Sequence, residues 1–438
     1  MRKIFIILLA FCFFLLACKS EKHDTTLKFL IFGDSQSGTG LNNDTNYVYY
    51  KAFDTTIHNA FHANPDAKFF TNLGDLIEVG GKHEHWKAWF DAVKGVYGII
   101  PFYPVLGNHE TYKNSKESIA MPDYFIKRFK FPQIEPDILM GHAYSYDYGN
   151  VHFIVMDSQF NEYKEMDIDY ACNLFTEEIK WLQQDLKKNK DKRWKVLMFH
   201  RPPYYNKQER SNDFIKEKFQ EIIDSNHVDI VINGHDHCVA WTYPIKNDEF
   251  FEKPSQGTVY YIAGRSGSKK YPVNDTNHKA IMNKVWNVFF EGDKNYNNQP
   301  TYVVAEVNDN MFKLSAYHYK DKIAFNTLII DKEDDKILNN NNPIRINDSI
   351  NNKIYIFGVP LKIKNKSYNS LGYVPVKEFL DFFKVINKEI YINGEIDAVL
   401  TNYKFNLKKD SLISPAELGF ICKYNKSRNI LMISKDTE

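Results

Sequence analysis

The chain has 438 residues, of which 43% are hydrophobic, enough for large cores and more than one domain. Its 56 basic and 55 acidic residues leave a net charge of +1, so no basic field points to a nucleic-acid partner. Five cysteines without regular spacing imply no disulfide framework.

Arg2 and Lys3 precede an apolar stretch over residues 4–17, shorter than the roughly 20 residues of a membrane span. It ends in Leu15-Leu16-Ala17-Cys18 and gives way to polar residues, the pattern of a signal peptide with a small residue before the cut. The Leu-x-Ala-Cys sequence resembles a bacterial lipobox, which implies that Cys18 becomes the lipidated first residue of the mature protein. Residues 1–18 then comprise signal peptide and lipobox, and 19–26 a tether. The expected product is exported and lipid-anchored to the bacterial membrane, periplasmic or at the cell surface. Ordinary secretion, with Cys18 as one more cysteine of the apolar region, is the alternative.

Short apolar runs at 27–32, 68–72, 102–106, 195–199 and 228–233 read as β-strands. Each leads into polar groups: Asp34-Ser35-Gln36, Gly74-Asp75, Gly107-Asn108-His109-Glu110, His200, and Gly234-His235-Asp236-His237. In open α/β sheets, side chains leaving the carboxyl ends of strands converge on one edge, so five such clusters predict one site. Helical periodicity fills the gaps. Tyr49, Phe53, Ile57, Ala60 and Phe61 share a face, as do Ile179, Leu182 and Leu186, and then Ile215, Phe219 and Ile222. Further strands are expected over 258–263, 302–307 and 311–319, which suits stacked sheets covered by helices. Residues 264–300, with Trp286, Phe289 and Phe290, are expected to rim the site, a disordered surface loop being the alternative.

The composition of the site points to metal. Asp34, Asp75, Gln36, Asn108, His200, His235 and His237 form an oxygen and nitrogen set without thiolate, suited to hard-to-borderline divalent or trivalent ions. One tetrahedral ion needs about four ligands, and this set exceeds that. Two ions roughly 3.5–4 Å apart, sharing a carboxylate, fit better and can hold a hydroxide nucleophile against a phosphoryl group. His109, beside Asn108, is the natural non-ligand partner to protonate the leaving oxygen. For any single block, capping of a helix or a loop is the simpler explanation; the joint arrangement argues against it. Arg201 and Arg265, each just after a strand, are candidates for phosphate contact, with an ordinary salt bridge as the alternative. His152 reads as a core or supporting residue, His142 and His318 as structural, and His83 and His85 as a solvated helix face, with a place on the substrate rim as the alternative.

The ordered blocks from Asp34 to His237 resemble the calcineurin-like metallophosphoesterases, and within them the purple-acid-phosphatase-like branch, over roughly residues 27–319. Supporting phrases are Tyr144-Ser145-Tyr146-Asp147-Tyr148-Gly149-Asn150-Val151-His152-Phe153 and His200-Arg201-Pro202-Pro203-Tyr204. The resemblance implies a four-layer α/β/β/α sandwich over 27–330 and two ions (Fe, Mn or Zn). It places Asp34, Gln36, Asp75 and His237 on one ion and Asp75, Asn108, His200 and His235 on the other, with Asp75 bridging. His109 takes the role of leaving-group acid. The chain departs from the pattern at Gln36, where many members have histidine, and at Glu78, where red purple acid phosphatases have tyrosine. A weaker first metal site and no tyrosinate-to-iron charge transfer are therefore expected. The implied activity is metal-dependent hydrolysis of a phosphate ester; a degenerate fold serving as a cell-surface binding module is the alternative, with Gln36 its only support.

Residues 331–345, charged and rich in asparagine, read as a linker. Over 346–438 a weak internal repeat opens at Tyr373-Val374-Pro375 and again at Leu412-Ile413-Ser414-Pro415. Each unit reads as a Pro-initiated helix, a short strand, a turn and a strand. This small α+β domain resembles the copper amine oxidase N-terminal-like domain. No ligand cluster accompanies it, so copper is not implied; cell-envelope contact is its expected role, and a structural cap the alternative.

Overall fold

The computed structural model describes residues 26–37, 50–205, 213–269, 299–322 and 324–339, with short strands between 344 and 435. The lipobox with Cys18, the aromatic insert with Trp286 and the expected C-terminal helices lie outside the described residues.

Strand β1 (Leu27–Phe32) alternates between two cores: Phe29 and Ile31 enter one, Leu30 and Phe32 the other. That is the period-2 pattern of a strand covered on both faces. Helix α1 (Lys51–Ala63), β2 (Phe70–Leu73), α2 (His83–Ala92), β3 (Phe102–Val105) and α3 (Asp123–Arg128) follow. Then come β4 (Tyr144–Tyr148), β5 (Val151–Val155), α4 (Phe160–Met166), α5 (Ile168–Lys188), β6 (Trp194–Met198), α6 (Asp213–Ser225) and β7 (Ile230–Asn233). The remainder is β-rich: β8 (Val239–Trp241), β9 (Ile245–Lys246), β10 (Glu249–Phe250), β11 (Val259–Ala263), β12 (Thr301–Val307), β13 (Met311–His318), β14 (Asn326–Asp331) and β15 (Lys336–Asn339).

A seven-stranded sheet runs β15-β14-β13-β12-β1-β2-β3, with β1, β2 and β3 parallel and the other pairings antiparallel. A six-stranded sheet runs β4-β5-β6-β7-β11-β8, parallel from β5 through β11. The two pack face to face. Phe29 stacks on Phe69 at 4.6 Å, and Phe153 meets both rings edge-on, so aromatic geometry ties the sheets together at their centre. Phe53, Ile57, Trp86, Trp89 and Phe125 bring α1, α2 and α3 onto the outer face of the first sheet. Tyr163, Leu174, Leu182 and Phe219 bring α4, α5 and α6 onto the second. The expected α/β/β/α sandwich is present. Helix α5 shows why its sequence is helical: the Asp167 carboxylate caps the amides of Asp169 and Tyr170, and Lys187 and Lys188 sit at its carboxyl end, where the dipole favours cations.

Two expectations are corrected. His85 is not on a solvated face: it is buried beside Trp86, its Nδ1 accepts the Val79 amide at 3.1 Å, and burial pushes it down to about 4. On α2 it is His83 that faces solvent, 2.9 Å from Arg128 Nη2. The linker expected over 331–345 begins inside the first sheet, because β14 turns back into β15 with Asp331 opposite Lys336 and Leu328 opposite Asn339. Ile337 packs on the core between the sheets, which gives this polar segment its reason to pair. Farther on, Val374 pairs with Ile413 and Pro375 with Leu412, antiparallel, so the opening residues of the two repeat units face one another.

Candidate metal centre

Strands β1, β2 and β3 of one sheet and β6, β7 and β11 of the other deliver their following residues to a common edge. The turns there are tight. Gly74 and Asp75 both have left-handed backbone (φ 89° and 53°), and a Cβ on Gly74 would lie 2.6 Å from His200 Nδ1. His235 (φ 69°) and His237 (φ 55°) adopt the same sparsely populated region. Three expected ligands thus carry a conformation that costs about 1–2 kcal/mol each, a pattern typical of functional sites.

His200 stands at the centre, buried. Its Nδ1 donates to Leu73 O at 2.7 Å, which turns Nε2 inward. Around Nε2 lie His235 Nδ1 at 3.1 Å, Asn108 Oδ1 at 3.2 Å and Asp75 Oδ1 at 3.3 Å. On the other side His237 Nε2 is 3.4 Å from Asp34 Oδ1, and the Asp34 carboxylate accepts the His235 amide. Two buried groups of potential ligands result, Asp75 with His200 and His235, and Asp75 with Asp34 and His237, each with its donor atoms within 4.8 Å of one another. Asp75 is common to both. Gln36 completes the second group: its Nε2 donates to Asp75 Oδ2 at 2.9 Å, while its Oε1 is buried without a hydrogen-bond partner among the described residues. A half-turn of the amide exchanges the two atoms and presents the oxygen.

This donor set fits two cations. Lone pairs of buried side chains converge here, an arrangement that costs free energy unless positive charge offsets it. The imidazole of His200 registers that demand: burial opposes its charged form, yet the charge and hydrogen bond of Asp75, with the charge of Asp34, carry it up to about 9. Burial likewise works to raise Asp75, but His200 and His109 hold it well below the usual carboxylate range.

A surrounding layer fixes these groups. The Glu110 carboxylate accepts four buried amides, those of Leu76 and Ile77 at Oε1 and of Gly107 and Asp75 at Oε2. It thereby ties the loop after β2 to the loop after β3. Burial and the charge of Asp75 push it up to about 8, against the pull of the backbone donors. Asn108 Nδ2 donates to Tyr112 Oη at 2.6 Å, which aims Asn108 Oδ1 at the centre. His109 Nδ1 donates to Glu78 O, and Nε2 lies 3.8 Å from Asp75 Oδ2 and 2.8 Å from Lys269 Nζ. Burial holds His109 below its ordinary value, and Lys269 adds to that effect against Asp75. Lys269 Nζ is also 3.0 Å from Glu78 Oε1, and its main-chain carbonyl accepts from His237 Nδ1 at 2.9 Å.

Of the two arginines, Arg201 reaches the site: it binds Glu162 and Gln159 and places Nη1 3.2 Å from His235 Nε2. Arg265 is buried and donates to Gly267 O within its own loop, beside Asp34. His142 and His152 lie in separate carboxylate pairings, with Asp157 and with Asp147 and Asp185, and His318 is buried on β13. Lys269, Tyr112 and Glu162 were not singled out by the sequence. The one available signal was for Lys269, which ends the Gly264-Arg265-Ser266-Gly267-Ser268-Lys269 turn directly after an apolar strand.

Comparison with known proteins agrees with this geometry. The family model for calcineurin-like phosphoesterases matches residues 27–239. Purple acid phosphatase 15 of Arabidopsis thaliana is 26% identical over 189 residues, 42% of this chain and 33% of that protein. Purple acid phosphatase 23 of the same plant is 26% identical over 219 residues, 49% of this chain and 44% of that protein. The chain thus spans less than half the length of these curated relatives. Among solved structures, the purple acid phosphatase PPD1 from yellow lupin (Lupinus luteus) seeds superposes with a TM-score of 0.53 at 18% identity, covering 70% of this chain and 54% of that one. The chain carries a calcineurin-like metallophosphoesterase domain with the fold of the purple acid phosphatases.

Proposed function

We propose that this chain is an exported, lipid-anchored hydrolase of phosphoric esters with a dinuclear metal centre. The observation that carries the reading is the convergence of Asp75, Asn108 and His235 on His200 Nε2, with the Asp75 carboxylate also held by Gln36. Asp34, Gln36, Asp75 and His237 would hold one ion, and Asp75, Asn108, His200 and His235 the other. Fe, Mn and Zn suit this donor chemistry. When bound, such a pair supplies positive charge to phosphoryl oxygens and activates the attacking water. The chain's own residues do the rest: Leu73 O orients His200, Glu110 holds the two ligand loops, and Tyr112 orients Asn108. His109, within reach of the bridging carboxylate but aimed beside it, assists the leaving group. Arg201 borders the second ion site and is the nearer of the two arginines to an incoming phosphate. With Glu78 in place of a tyrosine, the iron-loaded protein should show no tyrosinate-to-iron charge transfer.

Purified mature protein should be assayed on a panel of phosphomonoesters and phosphodiesters with Mn, Zn, Fe or Mg supplied. Turnover that depends on added metal is expected. Two bound ions with no turnover on any ester would favour the binding-module alternative.

A further inference from the structure

Resting on the proposed hydrolysis, we infer that Lys269 is a catalytic residue on the leaving-group side of the site. Its ammonium sits 2.8 Å from His109 Nε2 and 3.0 Å from Glu78 Oε1, and its side chain is only 12% exposed. The geometry defines the direction of donation. His109 Nδ1 faces the Glu78 carbonyl, which only accepts, so the ring proton is on Nδ1 and Nε2 accepts from Lys269. In this arrangement the donor that meets an oxygen arriving beside His109 is the ammonium. Glu78 fixes where that ammonium stands, at the position of the tyrosine of the red enzymes.

In the hydrolysis, an oxygen from water bonds to phosphorus as the P–O bond to the leaving oxygen breaks. The leaving oxygen departs with one proton as the alcohol, and the attacking water returns a proton to the protein. Lys269 donates to the leaving oxygen as negative charge builds there, while neutral His109, accepting at Nε2, holds the ammonium in place. Stabilisation of this kind matters most when the leaving group is a poor one.

The side chain is separable from the structural role of the residue. The bond to His237 uses the main-chain carbonyl of Lys269, which K269M and K269R both retain. Full-length wild type, K269M, K269R, H109A and the K269M/H109A double variant should be compared for metal content, melting temperature and kcat across alkyl to nitrophenyl phosphates. K269M is expected to keep its metals and melting temperature. It should lose on the order of 100-fold on alkyl phosphates and under about 5-fold on nitrophenyl phosphate, with K269R recovering part of the alkyl loss. The double variant should fall little below the worse single one, because the two groups serve one oxygen. An equal loss on every ester, a change in KM alone, or loss of metal from K269M and K269R alike would overturn the inference. A wild-type protein that turns over no ester with any metal would instead sink the proposed function itself.

Discussion

Glu110 offers the sharpest test of how the site is built. Its two carboxylate oxygens each accept two buried amides, at 2.8–3.3 Å, and once ionised, above about pH 8, the side chain has no donor to offer. Glu110→Gln keeps the shape but converts one oxygen to an NH2 group. Whichever way the amide turns, two of the four backbone donors then face a donor. A buried polar group left unsatisfied costs about 1–3 kcal/mol, so the substitution should cost roughly 2–6 kcal/mol. That is a large part of the 5–15 kcal/mol available to a typical domain. Taking 4 kcal/mol and roughly 2–4 °C for each kcal/mol, the melting temperature should fall by about 10 °C. Because the affected amides belong to Gly107 and Asp75 or to Leu76 and Ile77, the bound metal should drop as well. Thermal denaturation with elemental analysis of the same samples reads both effects. Measured above about pH 8, where the carboxyl is ionised, a variant melting within about 2 °C of wild type would refute the reasoning, since it would mean that the four amides are not what the carboxylate binds.

Asp75→Asn should abolish hydrolysis and remove tight binding of at least one ion, because the bridging carboxylate is lost; two retained ions by elemental analysis would count against that role. His152, clamped by Asp147 at 2.7 Å and Asp185 at 2.6 Å, is opposed by burial but raised above its ordinary value by both carboxylates. Its contribution is fully present below about pH 6.5 and is lost as pH rises through the folded-state value, so the stability gap between wild type and His152→Gln, about 2 kcal/mol at pH 5.5, should narrow with rising pH. A gap that does not change with pH would show that folding leaves the affinity of the imidazole for its proton unshifted. Finally, a chain ending after Asn339 should keep its metals and catalytic constants, whereas one ending at Asp331 strips β15 from the sheet and should melt lower. Equal melting temperatures would mean that β15 contributes no stability.

Much of the metal centre was legible because its physics is local. Each expected ligand follows a strand, and strands announce themselves by short apolar runs; β1, β6 and β7 lie within two residues of where those runs placed them. What was illegible depends on contacts between distant segments. Nothing near Lys269 in the chain indicates that it will meet Glu78 and His109, which precede it by 191 and 160 residues. His85 misled because a histidine beside charged neighbours looks solvated, and only the loop at Val79 folding over α2 buries it. The β14–β15 hairpin was hidden by its composition: its apolar residues come in two short groups, and the lysines and aspartates between them read as linker.

The left-handed backbone at Asp75, His235 and His237 bears on how such a site changes over evolutionary time. Asparagine, aspartate and histidine are the side chains that tolerate this region best apart from glycine, while β-branched residues are strongly disfavoured in it. At these three positions the main chain itself narrows the substitutions a lineage can sample without losing the fold. Asp34, Gln36, Asn108 and His200 are under no such constraint, since none of them has a positive φ. Shifts in metal preference among relatives should therefore be written at those four positions, and Gln36 is one of them.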